Sequence, residues 1–283
     1  MKPAPFGYAA PSSVEEAVSL LVEHGDDAKV IAGGQSLMPM MNMRLAVPRV
    51  LVDINRIPGQ DRILTDGNIR IGALVRQGAA ERSGELLTAA PIFGPALRHI
   101  AHAGIRSRGT ICGSLAHADP AAELPAVMLA LGATIEATGP AGMRTIAAEE
   151  FFTGFLTTTL HSDELVTAVK IPLPAPGTRF AFLEVARRHG DFALVGVAAV
   201  VEVEGGTVRR ARIALFGVSD RPVLATDAEQ VLIGSDPSDP SVLQEAGHAG
   251  ASALRPPSDV HGSGEYRAQV ASVLIRRAVA ATN

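Results

Sequence analysis

The chain has 283 residues, of which 47% are hydrophobic, and its 25 Lys and Arg residues against 29 Asp and Glu residues give a formal net charge of −4. This length can bury a substantial core and form two domains, or one with an appendage, and the mild acidity offers no basic surface for nucleic acid, so we expect no such partner. No stretch approaches the roughly 20 apolar residues of a membrane helix, and the N-terminal residues lack the apolar core of a signal peptide, so we expect a cytoplasmic protein without membrane insertion.

The first part of the chain has the pattern of a small α/β unit. Apolar residues recur at helical spacing between residues 14 and 22, after two serines that can cap a helix and before Gly25, which can end it. Short apolar runs over residues 28–32 and 48–54 predict two buried strands. The order helix, strand, loop, short helix, strand is typical of an α/β unit.

The middle of the chain is predicted to form a second α/β unit. Strands are expected over residues 68–72, 134–138 and 165–171. Between them, Asp119 is a good helix N-cap with Pro120 at the first helical position, so we expect a helix to begin there. A second proline soon afterwards leaves its exact first residue open.

A proline-rich stretch, residues 172–177, separates this unit from the last part of the chain. Its prolines cannot continue a central strand, so we place a domain boundary there. Beyond it, residues 195–204 and 208–216 flank Gly205-Gly206-Thr207 and predict a β-hairpin. A final helix is expected over residues 265–282.

Two glycine-bearing segments are candidate binding loops. The first glycine segment, residues 29–37, reads Lys-Val-Ile-Ala-Gly-Gly-Gln-Ser-Leu, and the second glycine segment, residues 108–115, reads Arg-Gly-Thr-Ile-Cys-Gly-Ser-Leu. Glycine tolerates positive φ and lets backbone N–H groups converge on one point, which suits a phosphate oxygen. We therefore expect a dianionic ligand between the two segments.

Other recognisable chemistry is scarce in the sequence. It contains neither a G-x-G-x-x-G after a strand nor a P-loop, and neither H-E-x-x-H nor G-x-S-x-G. A metal-dependent enzyme stays open as an alternative, because histidines and carboxylates recur at a loose spacing. These residues are His99, His102, His117, Asp119 and Glu123.

Three motifs, in order along the chain, resemble a known family. They are Ala32-Gly-Gly-Gln-Ser-Leu-Met-Pro-Met-Met-Asn-Met-Arg-Leu45, Arg108-Gly-Thr-Ile-Cys-Gly-Ser-Leu-Ala-His-Ala-Asp-Pro-Ala-Ala-Glu-Leu-Pro125 and Arg187-Arg-His-Gly-Asp-Phe-Ala193. Together they resemble the FAD-binding medium subunit of molybdenum hydroxylases of the carbon monoxide dehydrogenase type, to which the flavin domain of xanthine dehydrogenase is similar. The resemblance covers nearly the whole chain.

The resemblance implies an α+β fold of the vanillyl-alcohol-oxidase, or PCMH, FAD-binding type. In this fold two α/β subdomains hold FAD in the cleft between them, and a C-terminal α+β domain with an antiparallel sheet and helices follows. The implied division is FAD-binding subdomain 1 over residues 1–60, FAD-binding subdomain 2 over 61–175, and the C-terminal flavoprotein domain over 176–283.

The resemblance also implies which residues hold FAD, and it implies no catalytic residue in this chain. The glycine segments would clamp the pyrophosphate, Glu123 or Asp119 would approach the ribose hydroxyls, and Leu165 would pack against the flavin. The predicted cofactor-binding residues are Lys29, Ala32, Gly33, Gly34, Gln35, Ser36, Leu37, Thr110, Cys112, Gly113, Ser114, Asp119, Glu123 and Leu165.

Cys112 stands where the similar proteins have a glycine. If this position required positive φ, a cysteine there would be strained, whereas a requirement for a small side chain alone would leave the segment intact, which is what we expect. The alternative is that Cys112 carries a reactive, redox-active thiol. This single cysteine cannot supply the roughly four thiolates of an iron–sulfur cluster, so any cluster must lie in another chain.

The implied function is electron transfer within a complex. A large subunit with a molybdopterin-type molybdenum cofactor would hydroxylate the substrate, and a small subunit with [2Fe–2S] clusters would pass electrons to FAD in this chain and on to a terminal acceptor. The resemblance implies a heterohexamer. A self-sufficient FAD-dependent oxidoreductase of the same fold is the alternative. The substrate (carbon monoxide, a purine or another N-heterocycle) and the acceptor (quinone, cytochrome, NAD or oxygen) stay open.

Overall fold

The computed structural model describes residues 1–282, which form fourteen strands and twelve α-helices. The strands are β1 (Gly7–Ala9), β2 (Ala28–Ile31), β3 (Val50–Asp53), β4 (Ile63–Leu64), β5 (Asn68–Gly72), β6 (Thr134–Gly139), β7 (Gly142–Ala147), β8 (Phe152–Gly154), β9 (Thr157–Thr158), β10 (Leu165–Pro172), β11 (Thr178–Ala186), β12 (Ala193–Glu204), β13 (Thr207–Phe216) and β14 (Val223–Leu224). The helices are α1 (Val14–His24), α2 (Leu37–Asn42), α3 (Gln77–Ala80), α4 (Gly84–Ala89), α5 (Phe93–His99), α6 (Ala103–Arg106), α7 (Ile111–His117), α8 (Glu123–Ala130), α9 (Ala148–Phe151), α10 (Thr226–Leu232), α11 (Pro240–Ser252) and α12 (Gly264–Ala281).

The first sheet is parallel, with the strand order β1-β3-β2. Helix α1 precedes β2 as predicted: Ser13 caps it by accepting a hydrogen bond from the Glu16 N–H at 3.1 Å, and Gly25 ends it with a φ of 51°. In the register of β2 and β3, Ile31 lies beside Asp53. The residues that follow these two strands therefore emerge at the same edge of the sheet, which places the first glycine segment next to Asn55.

The second sheet is antiparallel throughout, with the order β4-β5-β10-β6-β7. Helices lie between its strands along the chain, as expected. The prediction that Asp119 caps a helix is wrong, because α8 begins at Glu123 and Asp119 accepts a hydrogen bond from the Ala121 N–H in the preceding turn. This start places Pro125 in the first helical turn, where its missing N–H breaks no helical hydrogen bond.

The third sheet has the order β11-β12-β13-β14 and is also antiparallel. The predicted hairpin is confirmed as β12 and β13, and Gly205 and Gly206 at its turn have φ values of 59° and 84°, which suit glycine. The final helix is confirmed as α12. Strand β11 and helix α11, which the sequence analysis did not identify, complete this part of the chain.

The hydrophobic core forms two clusters. One joins α1 and the first two sheets and also includes Phe182 and Phe216 of the third sheet, whereas the other lies between the third sheet and α10 to α12. Among residues 1–282, no helix combines the length and the apolar character needed to cross a membrane.

Candidate cofactor site

The first glycine segment leaves β2 as an open loop with unused hydrogen-bond donors. Gly34 has a φ of 70°, a conformation that a residue with a Cβ rarely adopts. Within residues 1–282, the backbone N–H groups of Gly33, Gly34, Gln35 and Ser36 donate no hydrogen bond, and the Ser36 side chain does not cap α2. The side-chain amide of Gln35 stabilises the loop, because its Nε2 donates a hydrogen bond to the Gly33 carbonyl oxygen at 3.1 Å. Four consecutive N–H donors are thus available to an external acceptor.

The two glycine segments touch at Gly33. A Cβ added to Gly33 would lie 2.4 Å from the Arg108 carbonyl oxygen and 2.8 Å from the Gly109 Cα. Both distances are shorter than any relaxed van der Waals contact, so only glycine allows this approach. These segments are far apart in the sequence. The direct contact between them supports the prediction that they share one site.

The second glycine segment is not a loop like the first but the capped start of α7. Thr110 is its N-cap, and the buried Thr110 hydroxyl accepts a hydrogen bond from the Gly113 N–H at 2.9 Å. The Gly113 N–H therefore already has an acceptor, whereas the Thr110 hydroxyl keeps its own proton to donate. Donors of this segment without an acceptor in the described chain include the Cys112 N–H, the Ser114 hydroxyl and the Arg108 guanidinium group.

Cys112 lies in the first turn of α7 and has no positive φ. Its side chain is 2% exposed, and its thiol lies 3.7 Å from the Ile71 carbonyl oxygen of β5. Burial raises the pKa of Cys112 to about 12. The position thus needs a small side chain and not a left-handed backbone, and the neutral, shielded thiol speaks against a redox-active cysteine.

Glu123, the first residue of α8, is 8% exposed, and burial raises its pKa to about 7. Asp119, in the turn before the helix, is only half-buried. A carboxyl group at Glu123 that is close to half-protonated at neutral pH can both accept a hydrogen bond from a hydroxyl group and donate one. It therefore suits the ribose hydroxyls that the resemblance assigned to this position.

Glu184 is a second buried carboxyl group, which the sequence analysis missed. Its side chain is 1% exposed, and its Oε2 has no hydrogen bond within the described chain and lies 3.8 Å from Nδ1 of His99. Burial, with a smaller contribution from Glu123, raises the pKa of Glu184 to about 8, while burial, His189 and Arg98 lower the pKa of His99. Both shifts favour the neutral forms, so this contact is not an ion pair near pH 7 despite its distance.

The remaining predicted residues lie at the margins of the junction. Lys29 is exposed on β2, and Leu37 is the first residue of α2. Leu165 begins β10 and is buried in the core beside Thr138 of β6. The structure therefore places Leu165 as a packing residue in the core.

The histidines and carboxylates of the metal alternative are not brought together. Among residues 1–282, no group of three His, Cys, Asp or Glu side chains is arranged to hold a metal ion. His99 and Glu184 approach each other without a third ligand.

Two clefts lie near residues of the site, and neither is lined by a residue of a glycine segment. The larger, of about 1050 Å³, separates the Asp119–Ala121 turn and Phe155 from the loop that joins β11 to β12, and it contains no residue of either glycine segment. The smaller, of about 390 Å³, has Asn55 and Arg76 in its wall. Neither Asn55 nor Arg76 was singled out from the sequence, although a polar residue directly after a buried strand is a signal that could have identified Asn55.

The donor set at the junction fits FAD. Four consecutive N–H groups of the first glycine segment, with the Cys112 N–H and the Ser114 hydroxyl, can surround a diphosphate without a lysine. Glu123 adds a hydroxyl-binding carboxyl group further along the chain.

Comparisons with known proteins decide the family. Residues 4–174 match the FAD binding domain in molybdopterin dehydrogenase, and residues 180–282 match the CO dehydrogenase flavoprotein C-terminal domain. The chain belongs to this family. It is a medium-type FAD subunit of molybdenum-containing oxidoreductases, so the resemblance, the FAD cofactor and the α+β fold class are confirmed.

Individual relatives are similar over their full length. The chain is 44% identical to the 6-hydroxypseudooxynicotine dehydrogenase complex subunit alpha of Paenarthrobacter nicotinovorans, over 99% of this chain and 95% of the relative. It is 39% identical to the carbon monoxide dehydrogenase medium chain of Afipia carboxidovorans, over 99% of this chain and 97% of the relative. The carbon monoxide dehydrogenase structure from Hydrogenophaga pseudoflava superimposes with a TM-score of 0.97 at 38% identity, covering 100% of this chain and 98% of that one.

Proposed function

We propose that this chain is the electron-transfer subunit of a three-subunit molybdenum hydroxylase. An iron–sulfur subunit delivers electrons that a molybdenum subunit withdraws from the substrate, and a terminal acceptor removes them. The observation that carries this proposal is the direct contact of the two glycine segments, with four free N–H donors beside it. Such a junction suits a bound dianion.

The residues of this chain bind and orient the cofactor. We propose that Gly33, Gly34, Gln35 and Ser36 bind its diphosphate and that Glu123 binds a ribose hydroxyl. When bound, FAD accepts and releases electrons singly or in pairs, which lets it join one-electron clusters to a two-electron acceptor. Thr110 and Gly113 shape the second segment, and Leu165 supports the site from the core.

We infer that substrate choice lies outside this chain. Relatives at 42% and 38% identity are named nicotine 6-hydroxylase medium subunit and caffeine dehydrogenase subunit beta, and another at 39% is named for carbon monoxide. Subunits this similar serve chemically unrelated substrates, so the substrate-contacting groups belong to a partner. We also propose a cytoplasmic heterohexamer and the division into residues 1–60, 61–175 and 176–283.

The test is a titration of the purified full chain with FAD, followed by flavin fluorescence and absorbance, with metal analysis of the same sample. We expect one FAD per chain and no stoichiometric metal. A chain that ignores FAD, alone and after co-expression with its partner subunits, would contradict the proposal.

The self-sufficient oxidoreductase makes a different prediction about the loaded chain. It requires that an organic substrate alone bleaches the flavin absorbance of the isolated subunit. We expect none of nicotine, caffeine or carbon monoxide to bleach the isolated subunit, because this chain carries no substrate chemistry. Bleaching of the isolated subunit would favour the alternative.

A further inference from the structure

Two polar side chains, Asn55 and Arg76, connect the glycine segments. The Asn55 Nδ2 donates to the Ala32 carbonyl oxygen at 2.8 Å, and the Asn55 Oδ1 accepts a hydrogen bond from Nη2 of Arg76. The Arg76 Nη1 donates to the Arg108 carbonyl oxygen. A continuous chain of three hydrogen bonds thus runs from the residue before Gly33 to the residue whose carbonyl oxygen Gly33 touches.

Asn55 is fixed by the first sheet. Oδ1 of Asp53, at the end of β3, accepts hydrogen bonds from the Asn55 N–H at 2.9 Å and from Nδ2 at 2.6 Å. The other carboxylate oxygen of Asp53 accepts from the Tyr8 hydroxyl of β1 at 2.6 Å. Burial alone would raise the pKa of Asp53, but the hydrogen bonds from Tyr8 and Asn55 outweigh it and lower the pKa. Asp53 therefore keeps its charge at neutral pH and keeps accepting from both partners.

Arg76 belongs to the other side of the junction. Its backbone forms a β-bridge with Thr110, the N-cap of α7, and the neighbouring Gln77 N–H donates to the Gly109 carbonyl oxygen at 2.8 Å. Burial and the nearby Arg108 lower the pKa of Arg76, yet a guanidinium group stays charged at neutral pH. Hydrogen bonds from a charged donor are stronger than neutral ones, so this guanidinium can join two carbonyl-type oxygens firmly.

We propose that Arg76 and Asn55 are positioning residues that set the spacing between the two glycine segments. The bridge holds the Arg108 carbonyl oxygen against Gly33, so the free N–H groups after Gly33 face the start of α7. Neither side chain needs to contact the ligand for this effect. The inference rests on the proposed binding of FAD at the junction and adds the groups that preorganise it.

The variant Arg76→Gln tests the bridge, because glutamine is too short to reach both oxygens. We expect the dissociation constant for FAD to rise about 10- to 100-fold, since two charge-assisted hydrogen bonds are lost. Hydrogen–deuterium exchange of the ligand-free chain should become faster in residues 32–37 and 108–114. The matched control is Arg144→Gln. It also removes a hydrogen-bonded guanidinium group, which donates to Glu164 at 2.6 Å, but Arg144 is far from both segments in the sequence. It should change neither readout.

A double-mutant cycle separates a bridge from two independent contacts. If Asn55 acts through Arg76, Asn55→Ala combined with Arg76→Gln should weaken FAD binding little more than either change alone. Fully additive effects would overturn the inference, as would an Arg76→Gln chain that binds FAD like wild type with unchanged exchange. In these outcomes the wild-type chain still binds FAD, so the proposed function stands. A wild-type chain that binds no FAD would overturn both.

Discussion

The two glycine segments look alike in sequence, yet the structure gives them opposite roles. The first is an irregular loop whose four N–H groups are unused and whose Gly34 has a positive φ. The second is a helix start in which Thr110 already accepts from Gly113 and Cys112 has no positive φ. The first segment therefore supplies most of the free donors, while the second adds fewer and also forms a rigid wall against which Gly33 packs. A glycine beside a hydroxyl residue can thus indicate either a ligand cradle or a helix cap.

Gly33→Ala should weaken FAD binding the most, because it disrupts the contact between Gly33 and the Arg108 carbonyl oxygen that joins the two segments. The added Cβ would require the Arg108 carbonyl oxygen, 2.4 Å away, to move by about an ångström, and displacements of that size weaken preorganised sites by roughly 100-fold or more. We expect the dissociation constant for FAD to rise by at least that factor, measured by fluorescence titration. Gly104→Ala is the control, since its Cβ would meet no atom within 4 Å. Equal losses in both variants would contradict the contact's role.

Changes of pH extend the comparison of the two segments to the part of the chain that follows the second one. The buried carboxyl groups of Glu123 and Glu184, whose pKa values are raised, lie there. The pKa of Glu184 is raised to about 8, so its contribution to stability is fully present below pH 4.5 and is lost as the pH rises through about 8. Glu184→Gln should remove this loss and be more stable than wild type at pH 9 by up to about 5 kcal/mol, with little difference left near pH 5. Urea unfolding at pH 5, 7 and 9 measures it.

The exposed Glu150→Gln provides the matched control for that experiment. Its unfolding curve should follow wild type at all three values of pH. If Glu184→Gln instead lost stability at pH 9, Glu184 would be charged and paired in the folded protein, and the neutral contact with His99 would be wrong.

Thr110→Val tests whether the second segment acts as a wall or as a donor. Removing the cap should destabilise the protein by about 1 kcal/mol and weaken FAD binding a few-fold, because α7 frays where Gly33 needs support. Thr110→Ser keeps the hydroxyl and should behave like wild type. Tighter FAD binding by Thr110→Val would mean that the released Gly113 N–H is itself a ligand donor, which would erase the distinction between the segments.

The smallest effect is expected for Cys112→Ala, which keeps a small side chain in α7. FAD affinity should be unchanged, since the thiol faces β5 and not the junction. In wild type, Cys112 should react with a thiol-specific reagent slowly when folded and fully in denaturant, because burial raises its pKa to about 12. Rapid reaction of the folded chain, or loss of FAD binding in Cys112→Ala, would revive the redox-active alternative.

Local signals in the sequence were enough for the elements that carry their own caps and turns. Ser13 and Gly25 delimit α1, and Gly205 and Gly206 form the hairpin turn, because both depend on neighbours in the chain. Asp119 failed as a cap, since the hydrogen bond it accepts closes a turn and Pro125 tolerates a later helix start. Competition between a turn and a helix start cannot be read from residue preferences alone.

The pairing of the glycine segments was predictable from their glycines and from the resemblance, whereas the hydrogen bonds that support it were not. Asn55, Arg76 and Arg108 come from separate strands and turns, and their order in space depends on how the first two sheets pack. Glu184 likewise acquires its raised pKa from burial against a different part of the chain. Such long-range polar contacts leave no periodic or compositional trace in the sequence.

The shared hydrophobic cluster has a consequence for how this chain can be recombined with its relatives. It draws side chains from the first two sheets and also Phe182 and Phe216 from beyond the proline-rich stretch, and these two rings stack at 5.7 Å. A chimera that exchanges residues 176–283 between two relatives therefore replaces part of the core under the cofactor domain. Exchange should succeed only when the aromatic pair and the residues it contacts are transferred together.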